Sequence, residues 1–222
     1  MRLRQALFTC STLLPALLVA TAVSAQPAKP YGAATPQEAV AQFKKAVDAK
    51  DFVATVPLVA PAALKDMANE GVSGLLMVLA FSDPADPMPG GPKKTKAELD
   101  ADIKKYKEAT DLAKGVLKPY GLDTFIGKPV LSDPTQKALN AALDKTDNVV
   151  LITALYKSLD KIGPLLGMKE KPEPKAVMNI GNVTGYSITG DKAIAKNGPV
   201  NMNFIKIDNR WYIVPPPGAQ GK

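Results

Sequence analysis

A chain of 222 residues with no histidine and a single cysteine, Cys10, has few side chains able to do chemistry near neutral pH. A Ser, His and Asp triad cannot be assembled, and Cys10 sits inside the apolar stretch at the start of the chain. Metal ions would have to be held by carboxylates alone. Asp100 and Asp102 stand two apart in helical sequence and so point to different faces. Asp144 and Asp147 approach each other near a helix junction, where capping accounts for Asp147. No metal and no cofactor is expected. The stretch Gly121 to Lys128 superficially resembles a phosphate loop, but it has one residue too many between its glycines, and Pro129 stands where Ser or Thr is required. Asn182-Val183-Thr184 matches the acceptor pattern for an N-linked sugar, a short pattern that also arises by chance. What survives is proton transfer by tyrosine, lysine or carboxylate.

The positioning elements begin after an export signal. Arg2 and Arg4 give a positive start, Ala6 to Val23 is apolar apart from Thr, Ser, Cys and Pro, and Val23-Ser24-Ala25 is a small-residue cleavage site. The run is shorter than the ~20 residues needed to span a bilayer, and Pro15 interrupts it. Cleavage after Ala25 is expected, with release to a periplasm or to the medium and no transmembrane segment remaining. The mature chain would then contain neither cysteine nor histidine, so disulfides cannot hold it and its core must.

Losing Arg2 and Arg4, with no acid in the same segment, lowers the formal charge from +7 to +5. Arg210 becomes the sole arginine, whereas phosphate and base recognition favour the guanidinium fork. Nucleic acid is therefore not an expected partner, while loose attraction to an anionic cell envelope is compatible with the charge.

Residues 26–34 read as a flexible lead-in, and one α+β domain is expected over 35–215, followed by a tail. Thr35-Pro36-Gln37-Glu38 is a capping box opening a first helix whose Val40, Phe43 and Val47 share a face. Asp51-Phe52 starts a short helix interrupted by Pro57 and Pro61, and a longer one runs from Pro61 to Phe81, weakened by Gly71 and Gly74. Ser82 to Pro92, with four prolines, reads as a loop. Thr95 and Glu98 form a second capping box before a stripe at Leu99, Ile103, Tyr106, Thr110, Ala113 and Leu117. Asp133-Pro134 and Asp147 open two further helices. Residues 93–165 are thus a helical insertion, and 176–214 are a β-meander with turns at Gly190-Asp191, Asn197-Gly198-Pro199 and Asp208-Asn209. In Val200 to Ile207 the apolar alternation slips between Phe204 and Ile205, which predicts a bulge or a strand covered on both faces.

The capped first helix followed by Asp48-Ala49-Lys50-Asp51-Phe52, and the last hairpin Asn203 to Val214 with Arg210-Trp211-Tyr212 after its turn, resemble the secreted branch of the NTF2-like, cystatin-like α+β superfamily. The resemblance implies helices packed in the concave face of a curved sheet, with a cone-shaped pocket lined by Phe43, Val47, Phe204 and Trp211. The fold serves enzymes and binding modules alike, and the missing chemistry, the meander and the signal together predict a non-catalytic protein binding a small apolar ligand or an envelope partner. Since some members pair a tyrosine with aspartates, the resemblance also directs attention to Tyr120, Asp123, Tyr186 and Tyr212, for an isomerase or lyase alternative. A third expectation is an assembly module that forms a homodimer through its amphipathic helices. The signal can be checked directly: mass spectrometry of the exported protein is expected to find Gln26 as its first residue, and an intact Arg2 would contradict cleavage.

Overall fold

The computed structural model describes residues 31–84, 94–168 and 182–216. Six α-helices precede a four-stranded antiparallel sheet, so the chain is α+β with its meander at the C-terminus. The helices are α1 (Pro36–Asp48), α2 (Phe52–Thr55), α3 (Pro61–Phe81), α4 (Lys96–Leu117), α5 (Asp133–Leu143) and α6 (Asn148–Leu165). The strands are β1 (Val183–Thr189), β2 (Lys192–Asn197), β3 (Val200–Ile207) and β4 (Arg210–Val214), paired in chain order. Residues from Tyr31 onward form one compact unit. Most of the loop expected at Ser82 to Pro92 lies outside the described residues.

Helix starts follow the capping chemistry. Thr35 accepts the Glu38 N–H at 3.1 Å, while Glu38 reaches back to the Ala34 N–H at 2.9 Å. The box at Thr95 is complete, with the Glu98 carboxylate 2.7 Å from the Thr95 N–H and the Thr95 hydroxyl accepting from Glu98. Asp147 caps α6 by accepting the Val149 and Val150 N–H groups. Each such cap contributes roughly 1 kcal/mol, because it satisfies amides that the first helical turn leaves without partners.

The helical layer is cemented in two ways. Leu117, Leu139, Leu143, Leu151 and Ile162 are fully buried together, and the Phe52 and Tyr156 rings meet at 4.8 Å. Between α3 and α5, by contrast, a polar ladder repeats every helical turn. Lys65 pairs with Asp144, Asn69 donates to Asn140 at 3.1 Å, and Gln136 donates to Ser73 at 3.4 Å. The numbers rise on α3 as they fall on α5, so the two helices run antiparallel in a fixed register. The α4 stripe is buried only in its C-terminal half: Ala113 and Leu117 are covered, whereas Leu99 and Ile103 are substantially exposed.

On the sheet, alternation separates two faces. Ala193, Ala195, Met202, Phe204, Trp211 and Ile213 point inward and are buried, while Lys192, Lys196, Asn201 and Asn203 are exposed. α1 lies against β4 and buries Pro36, Ala39, Val40, Phe43 and Ala46. Val47, expected on that face, is 42% exposed because the stripe takes the three-residue step from Phe43 to Ala46. The predicted slip in β3 is resolved as partial cover on both faces. Its register with β2 and β4 is unbroken, Ile205 is half-buried opposite Tyr212, and the bulge falls instead in β1 between Thr184 and Ser187. The β3–β4 turn at Asp208 and Asn209 has φ of 50° and 61°, the left-handed pair that a two-residue hairpin needs.

Residues 31–34 are not a free lead-in. Ala33 is fully buried and exchanges both backbone hydrogen bonds with Trp211, at 2.8 and 2.9 Å. Gly32 has φ of 73°, and a Cβ there would meet Tyr212 Cζ at 2.9 Å and Arg210 Cβ at 3.0 Å, so no other residue fits without displacement. Further along β4 the Ala60 N–H donates to the Ile213 carbonyl at 2.9 Å. Two separate segments thus pair with the outer edge of β4.

Urea unfolding checks the packing. Phe43→Ala is expected to cost about 3–5 kcal/mol by leaving a core cavity. Gly74→Ala, where a new Cβ would meet nothing within 4 Å, is expected to add up to about 1 kcal/mol by raising helix propensity.

Candidate functional site

The four residues singled out for proton transfer do not converge. Tyr120 ends a short 3-10 turn after α4, and Asp123 begins the next one, Asp123–Phe125. Tyr186 lies on β1 and packs its ring 6.2 Å from Phe204, on the inner face. Tyr212 lies on β4 opposite Ile205, hence on the outer face. Three strand spacings separate β1 from β4, roughly 14 Å at ~4.8 Å each. Tyr186 and Tyr212 therefore differ in both edge and face.

A different grouping forms around Tyr31. Its hydroxyl donates to Asp147 Oδ2 at 3.0 Å, while the other oxygen of that carboxylate caps α6. Its backbone carbonyl accepts from Arg210 Nε at 3.2 Å and from the Tyr212 hydroxyl at 3.3 Å. Arg210 also donates to the Gly32 carbonyl at 2.7 Å. One segment is thereby tied to α6 by its side chain and to β4 by its backbone.

The electrostatics follow from these contacts. The Tyr31 phenol is pushed up to about 12, by burial first and then by its hydrogen bond to Asp147 and the charge of that carboxylate. Tyr120 is raised by burial and then by the charge of Asp147, so the carboxylate it senses is Asp147. Tyr212 is raised by burial, with Arg210 lowering it and Asp208 raising it. Tyr186 is raised by burial alone. A general base or a tyrosinate nucleophile needs a depressed phenol, and all four tyrosines move the other way. The arrangement fastens chain segments, and its phenols stay protonated.

The residues expected to line a pocket are equally telling. Phe43, Phe204 and Trp211 retain 1%, 2% and 6% of their surface, and Val47 faces solvent. A side chain facing a hollow large enough for water keeps accessible surface, so among the described residues Phe43 and Phe204 fill the space between α1 and the sheet. A shallow open depression of about 480 Å³ lies instead on α4, among Lys104, Lys107, Glu108, Asp111 and Leu112. Lys107 and Asp111 are paired there at 2.7 Å, which leaves mixed charge and no convergent reactive groups. Among the described residues no three carboxylates come together as a metal-holding group, and Asp144 and Asp147 are engaged by Lys65 and Tyr31 respectively.

The outer face of the sheet presents regular cross-strand rows. The register sets Thr184, Lys196 and Asn201 in one cross-strand row, Ser187, Ile194 and Asn203 in the next, and Thr189, Lys192 and Ile205 in a third. Ile194 is 47% exposed at its centre. No family model, curated protein or solved structure matches the chain.

Sequence reasoning missed the Tyr31 grouping because its partners lie 116 and about 180 positions away. The one available signal was Gly32 beside an aromatic residue, together with the solitary Arg210. Tyr31→Phe isolates the grouping. A phenol whose folded pKa of about 12 exceeds an unfolded value near 10 stabilises fully below about pH 10, and that contribution disappears as pH rises through about 12. Chemical denaturation is expected to show a loss of roughly 1 kcal/mol in Tyr31→Phe near neutrality. The gap from wild type should close at strongly alkaline pH, and a gap constant with pH would contradict the assignment.

Proposed function

We propose that the chain is an exported, non-catalytic protein that attaches to a component of the cell envelope. The observation carrying this reading is the filled interior between α1 and the sheet, where Phe43 and Phe204 keep 1% and 2% of their surface. A small apolar ligand would have to displace core side chains there, at a cost of several kcal/mol per cavity-sized disturbance. Attachment through the surface moves nothing inside.

Export is supported by the positive start, apolar run and small-residue site of residues 1–25, and basicity by the +5 charge left after their removal. No helix among the described residues is long and apolar enough to cross a membrane. The isomerase or lyase alternative has no support in geometry, since Tyr186 and Tyr212 lie on different faces of the sheet. Such attachment would be electrostatic in part and sensitive to salt.

Fractionation of native cells tests the proposal. The mature chain is expected with the envelope at low ionic strength and in the soluble exported fraction at about 1 M salt, where screening shortens to ~3 Å. Recovery from the cytoplasm, or free in the exported fluid at low salt, would overturn it.

A further inference from the structure

We infer that the outer face of the sheet is the attachment surface, and that the surface it fits is an anionic phospholipid interface. This inference rests on the reading of envelope attachment and specifies the partner. Its basis is a pair of exposed lysines on a face whose rows contain no carboxylate, whereas the unpaired lysines of the helices stand among Asp and Glu of the same helices. The ion pairs found among the described residues, Lys44–Asp48, Lys65–Asp144, Lys94–Asp102 and Lys107–Asp111, all lie on or beside the helices. Lys192 and Lys196 on β2 are exposed and take part in none of them.

Their placement is the second part of the basis. Lys192, Ile194 and Lys196 point to the same side of β2, so two cations roughly 13 Å apart straddle one isoleucine, given ~3.3 Å per residue. Ile194 is 47% exposed. Around it the face carries the short polar side chains of Thr184, Ser187, Thr189, Asn201 and Asn203, and no carboxylate stands within the three rows. Asp191 and Asp208 are confined to the turns at one end. An apolar point between two lysines suits an anionic interface, because the isoleucine can leave water among the acyl boundary while the ammonium groups meet phosphates at headgroup level.

Other occupants fit less well. Neutral sugars stack on aromatic rings, and the outer face carries one aromatic residue, Tyr212, which is buried at 8% and bonded to Tyr31. A soluble polyanion would be attracted by the lysines but would make no use of Ile194.

Sedimentation of the mature protein with vesicles tests the assignment, with mixed phosphatidylglycerol and phosphatidylcholine vesicles compared against phosphatidylcholine alone. Binding is expected only to the mixed vesicles. Each lysine near an anionic surface contributes about fivefold in partitioning, so Lys192→Gln with Lys196→Gln is expected to reduce it by roughly 25-fold. Lys192→Arg with Lys196→Arg should retain it. Ile194→Ser, which leaves the charge unchanged, should reduce it severalfold. Removing the same charge from α4 by Lys104→Gln with Lys114→Gln should change it little. Equal losses from the sheet and α4 pairs, no effect of Ile194→Ser, or no binding to mixed vesicles would each overturn the inference. If the native protein still fractionates with the envelope while vesicles fail to bind, attachment stands and its lipid partner does not.

Discussion

Strand β4 can take a ladder partner on only one side from β3, and its remaining N–H and C=O groups must be satisfied or left in water. That constraint organises the molecule. Ala33 takes both bonds of Trp211 on the far side, and Ala60 takes the carbonyl of Ile213. Because these partners flank α1 and α2, closing the β4 edge simultaneously fixes where both helices begin and end. α1 is thereby held with Phe43 over the inner face, and the side chains of Phe204, Trp211 and Ile213 find their cover. Arg210 strengthens the closure by directing a charged donor at the carbonyls of Tyr31 and Gly32, a stronger bond than a neutral pair provides.

The same closure decides what the tyrosines do. Tyr31 spans from the sealed edge to the N-terminus of α6, so its carbonyl is bound by β4 and its hydroxyl by the cap of α6. Asp147 is shared between capping α6 and accepting that hydroxyl, which makes it a structural acceptor on both oxygens. Burial and carboxylate charge raise the phenols, and raised phenols stay protonated through the physiological range. In a chain without histidine, Tyr31 with Asp147 and Lys65 with Asp144 thus join distant segments. Lys192 and Lys196 stay exposed on the outer sheet face, which residues 31 and 32 cover only along its β4 edge.

Much of the local structure was legible in the residues. The Thr35 cap and the capping box at Thr95, the prolines at the starts of α1, α3 and α5, and the turn residues between strands each act within four positions of themselves, and each element begins where they place it. Errors appeared wherever the deciding partner was distant. Residues 31–34 look like a lead-in because their hydrogen bonds go to Trp211 and Pro57. Val47 looks like a core residue, yet helix rotation against β4 selects Ala46. The stripe on α4 is continuous in sequence, but its neighbours cover only the half near Leu117. The candidate proton-transfer residues were chosen by type, and type carries no information about which face of which strand a tyrosine occupies.

By itself the sequence determined the α+β class, the order of elements and the absence of histidine and disulfide chemistry from the folded part, because propensity, capping and composition are local or additive properties. Only the tertiary structure decided that the space expected to hold a ligand is filled by Phe43 and Phe204. It also decided that Tyr31 and Asp147 are partners and that Lys192, Ile194 and Lys196 share an uncovered face. Those outcomes depend on strand register and on which helix docks over which face, and both are set by contacts between residues far apart in the chain.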